Sequence, residues 1–440
     1  MKPIPLIKKI LMKEPTADDF LSSFNNLIDP TVGIVQFFGR ETYYFSDEPN
    51  LIAYRAVINP TDNISDGGYK TIKAEGGRGL THESAKVSAL FEGIERYCSS
   101  IYKKKNFINA TYEELKNSGE DVINLKNLVS HDTHLKDLIN KKLMWTTGYS
   151  VKNSKEIFVP AQCIYLPYKY EDNELYLREP LTTGTAAGLS IGKSILRGIL
   201  EVIERDATMI AHYRQINCPK IPYSNMPLKI QKYINNLVKY RLNVNIYDFS
   251  LDYPIPVIVC RIEDSTGIGP YYTFGAKASF NIEDAILGSI LEAVSLRLGI
   301  RSVDEQARVE ALNIMSNYIK LDTPIKRSFL WAQPEMKGKL EYLDKSIEEP
   351  MKFQNFDGLT EENLTQLINF LLKEGKDIII KDVTTSDIEQ FGAKVTKTII
   401  PGLQPMHLFE PKMSYSERLL NYCNSSLKTH QLNKHPHPFG

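Results

Sequence analysis

SAKVSALFEGIERYCSS, residues 84–100, reads as an amphipathic helix. At about 100° per residue, Val87, Leu90, Phe91, Ile94 and Cys98 gather in one apolar sector, and Ser88, Glu92 and Glu95 gather in another. Their i, i+4, i+7 spacing lines Ser88, Glu92 and Glu95 into a single polar stripe. Carboxylates one turn apart on an exposed face repel by about a few tenths of a kcal/mol. The stripe therefore faces either plain solvent or a cation.

A second copy weighs against plain solvent. Residues 196–205, LRGILEVIER, repeat the Glu-x-x-Glu-Arg pattern at Glu201, Glu204 and Arg205, with Arg197 and Thr208 on the same stripe. A third helix-like run, 282–300, carries Glu292, with Arg297 and Arg301 after it. Each run follows a small-residue stretch: AEGGRGLT at 74–81, TTGTAAG at 182–188 and GAKAS at 275–279. These stretches read as loops. The first, containing Arg78, is either a tight turn or a place where the free N–H groups of a helix start meet an anion. It is no Walker A loop, because no Gly-Lys-Ser/Thr follows at the required spacing. No strict period is present, which excludes a solenoid.

The chain of 440 residues is long enough for one large α/β domain or two entangled ones. Lys plus Arg and Asp plus Glu each total 53, so no basic excess exists to support non-specific nucleic-acid binding. Cys98, Cys163, Cys218, Cys260 and Cys423 are scattered without CxxC spacing and read as reduced thiols. His131-x-x-His134 lacks further ligands at metal spacing and reads as loop. No apolar run suits a membrane span or a signal sequence. A soluble, unprocessed cytoplasmic protein is expected.

Around the three helices the sequence predicts strands at 31–35, 41–45 and 53–59, then at 143–149 and 156–165. A further set falls at 243–249, 255–262 and 271–274, the middle one apolar enough to be central. Residues 103–140 read as polar surface with a helix signal from Asn109. Residues 301–354 resist assignment. A helix is expected at 361–373 and strands at 377–382 and 394–400, the last stopped by Pro401-Gly402.

If the glutamates of the three helices converge, they make an oxygen-rich site suited to Mg²⁺, which keeps waters and shares its remaining positions with substrate phosphates. Carboxylates with arginines and glycine-loop N–H groups are then the ingredients of a nucleoside triphosphate site. Spacing alone does not show that they converge. Arg297 lies about 140° round the wheel from Glu292, so it either reaches across or is a surface cation near a helix C-terminus.

Ser88-x-x-x-Glu92-x-x-Glu95-Arg96, GTAAG followed by RGILEVIERDA, FGAKASFNIEDAI with its following EA-x-x-x-R, and PGLQPMH, occurring in that order, resemble the YcaO family. The resemblance covers roughly residues 66 to 410 and the tail. It implies an α/β fold of mixed sheets and helices around a non-P-loop ATP site, with a lead-in of strands at 1–65, an ATP-binding catalytic domain at 66–410 and a tail at 411–440. It further implies that Ser88, Glu92, Glu95, Glu201, Glu204, Arg205, Glu292 and Arg297, with Arg78, bind ATP, and that Glu92, Glu95, Glu201, Glu204 and Glu292 hold Mg²⁺.

In the azoline-forming branch a Cys, Ser or Thr side chain of a precursor peptide attacks the preceding carbonyl. The oxyanion takes phosphate from ATP, and elimination leaves a thiazoline or oxazoline. A PxPxP tail is typical of that branch. Here Pro436 and Pro438 are present and Gly440 stands in place of the last proline, so these three are the expected catalytic tail residues. Other departures are Thr182-Thr183-Gly184 for the usual Ser-Asn-Gly, Lys193 near the place of an acidic residue, and Ser295 for Gln. The branch implies a separate E1-like or related partner that binds the leader peptide, an azoline dehydrogenase, and an oligomeric complex. Thioamide formation, macroamidine formation and a catalytically idle nucleotide-binding scaffold are the alternatives.

Overall fold

The computed structural model describes residues 4–12, 16–42, 45–130, 135–302, 305–353, 358–410, 413–422 and 431–439. His131, His134, Cys423 and Gly440 lie outside them. β1 (Val35–Glu41), β2 (Ile52–Ile58) and β3 (Lys73–Gly79) form an antiparallel sheet in that order. β4 (Ile108–Thr111), β5 (Lys142–Ser150), β6 (Lys155–Pro160) and β7 (Thr185–Gly188) belong to a second sheet. β8 (Leu242–Asp248), β9 (Val257–Asp264) and β10 (Tyr272–Ala278) make a third, in the order β10-β9-β8. β11 (Ile379–Asp382) and β12 (Lys394–Ile399) complete the second sheet, ordered β4-β5-β11-β12-β7 with β6 paired to β5. The apolar β9 is central, as its composition predicts.

β3, β7 and β10 are all edge strands, and each runs directly into a long helix: His82–Ser100, Ile191–Tyr213 and Ile282–Arg301. Each helix starts on a polar cap. Thr81 and Ser84 form a capping box, Ser190 accepts from the Lys193 N–H, and Asn281 accepts from the Asp284 N–H. The apolar stripe of the first helix is buried at Leu90, Phe91, Ile94 and Cys98.

The glycine-rich stretches expected as loops are mostly strand. Ala74–Gly79 lies in β3, Thr185–Gly188 is β7, and Gly275–Ala278 lies in β10. Glycine marks close backbone approach here rather than a turn. A Cβ on Gly77 would stand 1.9 Å from the Ala89 nitrogen of the following helix, and one on Gly275 2.2 Å from the Ser289 carbonyl oxygen. Helices can lie flat on these strands because the side chains are missing.

Where strands are expected at 31–35 and 41–45, the structure has the strand β1 at Val35–Glu41, paired to β2; residues 43 and 44 of the second expected strand lie outside the described residues. Residues 1–65, expected to be strand-rich, also hold two helices, Ile4–Leu11 and Ala17–Phe24, which bury Ile10 and Phe24 against the main body. Their short amphipathic runs gain stability only from that packing. A boundary at 65/66 would cut the β2–β3 pairing. The segment 301–354 supplies helices Glu305–Ser316 and Pro324–Trp331, with Trp331 and Arg327 buried in the core. No described helix is long and apolar enough to cross a membrane.

Candidate active site

The three strand–helix units interlock in a cycle. Glu95, from the first helix, accepts the Ala187 N–H of β7 at 2.7 Å. Glu204, from the second, accepts the Ala278 N–H of β10 at 2.8 Å. Glu292, from the third, accepts the Ala276 N–H of its own β10 at 2.7 Å and meets Arg78 of β3 at 3.4 Å, closing the cycle. Glu201 accepts the Gly184 N–H at 3.0 Å. The N–H groups that an edge strand leaves without a strand partner thus orient carboxylates carried on helices.

The cycle encloses a cleft of about 770 Å³. Arg78, Ser88, Glu92, Glu95, Glu201, Glu204, Arg205 and Glu292, all expected at the nucleotide, line it together. Burial pushes the Glu92 carboxyl up to about 7 against the opposing charge of Arg96, and Glu75 adds to the rise. Glu92 keeps 36% of its side-chain surface open and lines the cleft. Burial likewise raises Glu95 to about 8, with Glu201 and Glu92 adding repulsion that the Ala187 N–H offsets. Glu204 rises to about 7 by burial, opposed by Arg205 and Lys277. Burial works against the charge of Arg205, yet Glu204, Glu292 and Glu201 outweigh it and hold the guanidinium protonated.

Among the described residues no three His, Cys, Asp or Glu side chains lie close enough to hold a metal by themselves. One or two carboxylates plus phosphate oxygens is the usual Mg²⁺ coordination, and this cleft offers several such carboxylates beside Arg78, Arg197 and Arg205. The donor set therefore fits Mg²⁺ carried with a phosphate ligand and does not fit a metal held by protein alone.

Arg297 is not in the cleft. Its guanidinium is buried and donates to both oxygens of Glu48 at 2.7 and 2.8 Å, to Asp264 at 2.6 Å and to the Pro270 carbonyl at 3.0 Å. The 140° separation from Glu292 carries it to another face of its helix, where it ties that helix to β9 and to Glu48. It is neither a surface cation nor a reaching ligand.

Residues that sequence reading missed include Glu75 and Lys277. Arg96 bridges Glu75 at 3.3 Å and Glu92 at 3.4 Å, and Lys277 lines the cleft. Reading 74–79 as a strand, with its alternation of faces, would have placed Gly76 and Arg78 on one side. Arg197, read only as part of a stripe, donates to the Ala187 carbonyl at 2.8 Å and stacks over Phe91.

The tail is ordered into the body. Asn433 N–H donates to the Tyr213 carbonyl, His212 Nε2 to the His435 carbonyl at 2.8 Å, and His437 Nε2 to the His407 carbonyl at 2.6 Å. Phe439 packs on Phe274 of β10. Pro436 and Pro438 are buried, but neither lines the carboxylate cleft.

An α/β chain with this interlocked carboxylate cleft and no P-loop belongs to a definite class. Residues 76–404 match the YcaO cyclodehydratase family, ATP- and Mg²⁺-binding, and the chain belongs to that family. Its cofactors are ATP and Mg²⁺. The fold is similar to that of a heterocyclase solved in complex with substrate and cofactor, with TM-score 0.73 and 19% identity over 97% of this chain. This chain spans 57% of that longer one. The YcaO protein of Methanopyrus kandleri bound with AMPPCP and Mg²⁺ superposes with TM-score 0.63 and 16% identity, covering 91% of this chain and 94% of that one. A chain of the E. coli microcin synthetase McbBCD complex with pro-MccB17 bound superposes with TM-score 0.58 and 12% identity, covering 92% and 96%. At these identities the likeness is one of fold.

Proposed function

We propose that this chain is an ATP-dependent cyclodehydratase that converts Cys, Ser or Thr residues of a ribosomally made precursor peptide to thiazolines or oxazolines. The observation that carries the reading is the cyclic interlock, which points carboxylates from three helices and the guanidiniums of Arg78 and Arg205 into one cleft. Glu92, Glu95, Glu201, Glu204 and Glu292 would hold Mg²⁺ together with phosphate oxygens, and Ser88, Arg78 and Arg205 would meet the phosphates. ATP supplies the phosphoryl group that turns the peptide oxygen into a leaving group.

The protein's own residues then have separable tasks. Three strand N–H groups and the Gly184 N–H of the turn before β7 fix one oxygen of each of four carboxylates, so the remaining oxygens need no reorganisation when cation and phosphate arrive. Arg205 and Arg78 balance the negative charge that phosphate adds to an acidic cleft. The tail residues Pro436, Pro438 and Gly440 would take part in cyclodehydration; of the described tail, Phe439 docks on β10 and Asn433 and His435 on the Ile191–Tyr213 helix. A separate leader-binding partner and an azoline dehydrogenase complete the cytoplasmic complex, in keeping with the multi-chain synthetase whose fold this chain shares.

The test is mass spectrometry of the cognate precursor after incubation with the protein, its partner, ATP and Mg²⁺. Loss of one water per modified residue, abolished in Glu92→Ala, is the expected result. Sulfur-for-oxygen exchange when sulfide is supplied would move the protein to thioamide formation. An unmodified peptide despite bound ATP and a saturating partner would make it a scaffold.

A further inference from the structure

A buried lysine close to the cleft has no role in that chemistry. Lys397, on β12, is 2% exposed. Its ammonium donates to the Leu181 carbonyl at 2.6 Å and the Thr183 carbonyl at 2.8 Å, and none of the described ion pairs includes it. An amine is costly to bury unless its hydrogen bonds are made, and here two backbone carbonyls receive them. Ser, Thr or Asn is too short to reach two carbonyls of this loop from β12.

The Leu181 carbonyl comes just before a tight turn and the Thr183 carbonyl lies within it. Thr185 N–H donates to the Thr182 carbonyl at 2.7 Å, and Gly184 takes φ +82° at the third position, which favours glycine. The Gly184 carbonyl accepts the Thr398 N–H at 2.7 Å, and its own N–H holds Glu201 at 3.0 Å. A Cβ on Gly184 would stand 2.2 Å from the Thr398 carbonyl oxygen. The turn is thus pinned to β12 from both sides and presents one donor to one carboxylate of the cleft.

We propose that Lys397 is a positioning residue for Glu201: by anchoring the Leu181 and Thr183 carbonyls it fixes the turn whose Gly184 N–H orients that carboxylate toward the Mg²⁺-nucleotide. The proposal rests on the nucleotide reading of the cleft for its consequence, but the anchoring itself does not. Burial, with Arg178 adding to it, pushes the Lys397 ammonium down to about 7, and the Glu201 charge opposes that fall.

The experiment compares wild type, Lys397→Met and Lys397→Arg in the full chain. Amide hydrogen exchange without ligand reads the turn, and calorimetric binding of AMPPCP with Mg²⁺ reads the cleft. In Lys397→Met, exchange at Gly184 and Thr185 should rise at least about tenfold while the amides of β9 stay protected, and nucleotide affinity should fall about tenfold or more. Lys397→Arg, which still donates to two carbonyls, should restore most of both. Unchanged exchange at Gly184 in a folded Lys397→Met overturns the proposal, as does an equal loss in both variants, which would make the position one of packing alone. If Lys397→Met does not fold, wild-type-like exchange and affinity in Lys397→Arg support the anchor and their loss overturns it. A wild type that binds no nucleotide would sink the reading of the cleft, while the exchange comparison would still decide whether Lys397 holds the turn.

Discussion

Glu95 carries the most altered acid of the cleft, raised by burial from the ordinary carboxylate range to about 8. A carboxyl raised on folding binds more protons in the folded than in the unfolded state. Its stabilising contribution is full below the ordinary carboxylate range and is lost as pH rises through about 8. The melting temperature of the metal-free protein should therefore fall between about pH 6 and about pH 8, and the slope should flatten in Glu95→Gln. Lys397 contributes the opposite slope above about 7, but it is common to both proteins in that comparison. If the cleft carboxyls are the ligands, as proposed, Mg²⁺ and nucleotide must displace these protons, and calorimetric affinity should climb by up to about tenfold per pH unit for each proton displaced. An affinity that is flat or falls over that range would mean the carboxyls are not the ligands. Arg297 tests the opposite kind of residue. Arg297→Met leaves the buried Asp264 without its cation and Glu48 with Arg301 alone, and should cost about 3 kcal/mol in urea unfolding, while the folded protein keeps its nucleotide affinity. A stable Arg297→Met that loses nucleotide would return this arginine to the cleft.

At the scale of the element, the repeated unit is an edge strand running into a capped helix. Its weak point is the contact between them, because the helix rests on a glycine backbone. Gly77→Ala should cost about 1–3 kcal/mol by overpacking against Ala89, seen as a lower urea midpoint. Gly76, with open space where a Cβ would go, should tolerate Ala without loss. Equal tolerance at both positions would show that the helix can lift from β3, and the first arc of the interlock would then be soft. Ser84–Ser100 gave up its helix and buried face to periodicity because amphipathic spacing is a local property. The glycine-rich stretches misled because glycine serves both a turn and a close strand–helix contact, and only the partner helix distinguishes the two.

Across the whole molecule, the largest core cluster runs from Leu6 near one end of the chain to Phe439 near the other. The tail therefore belongs to the body. Phe439, 3% exposed against Phe274, should cost about 3–5 kcal/mol as Phe439→Ala, measured by equilibrium unfolding. A loss below about 0.5 kcal/mol would show the segment to be undocked in solution. Burial lowers His212 to about 3 and His437 well below the ordinary imidazole range, so both are neutral in the docked state and both use Nε2–H to hold a carbonyl.

The sequence by itself determined the three helices, their carboxylate stripes, the central β9 and the family, because periodicity, capping residues and motif order are written along the chain. It also supplied eight of the nine expected nucleotide residues that line the cleft. Only the tertiary structure decided that the stripes converge, that edge-strand N–H groups aim the carboxylates, that Arg297 serves β9 and Glu48 instead, and that Lys397 lies beneath the Gly184 turn. Each of these depends on which strand edges meet in space. Residues such as Glu95 and Ala187, or Gly184 and Thr398, are far apart in sequence, and no local pattern records that they touch.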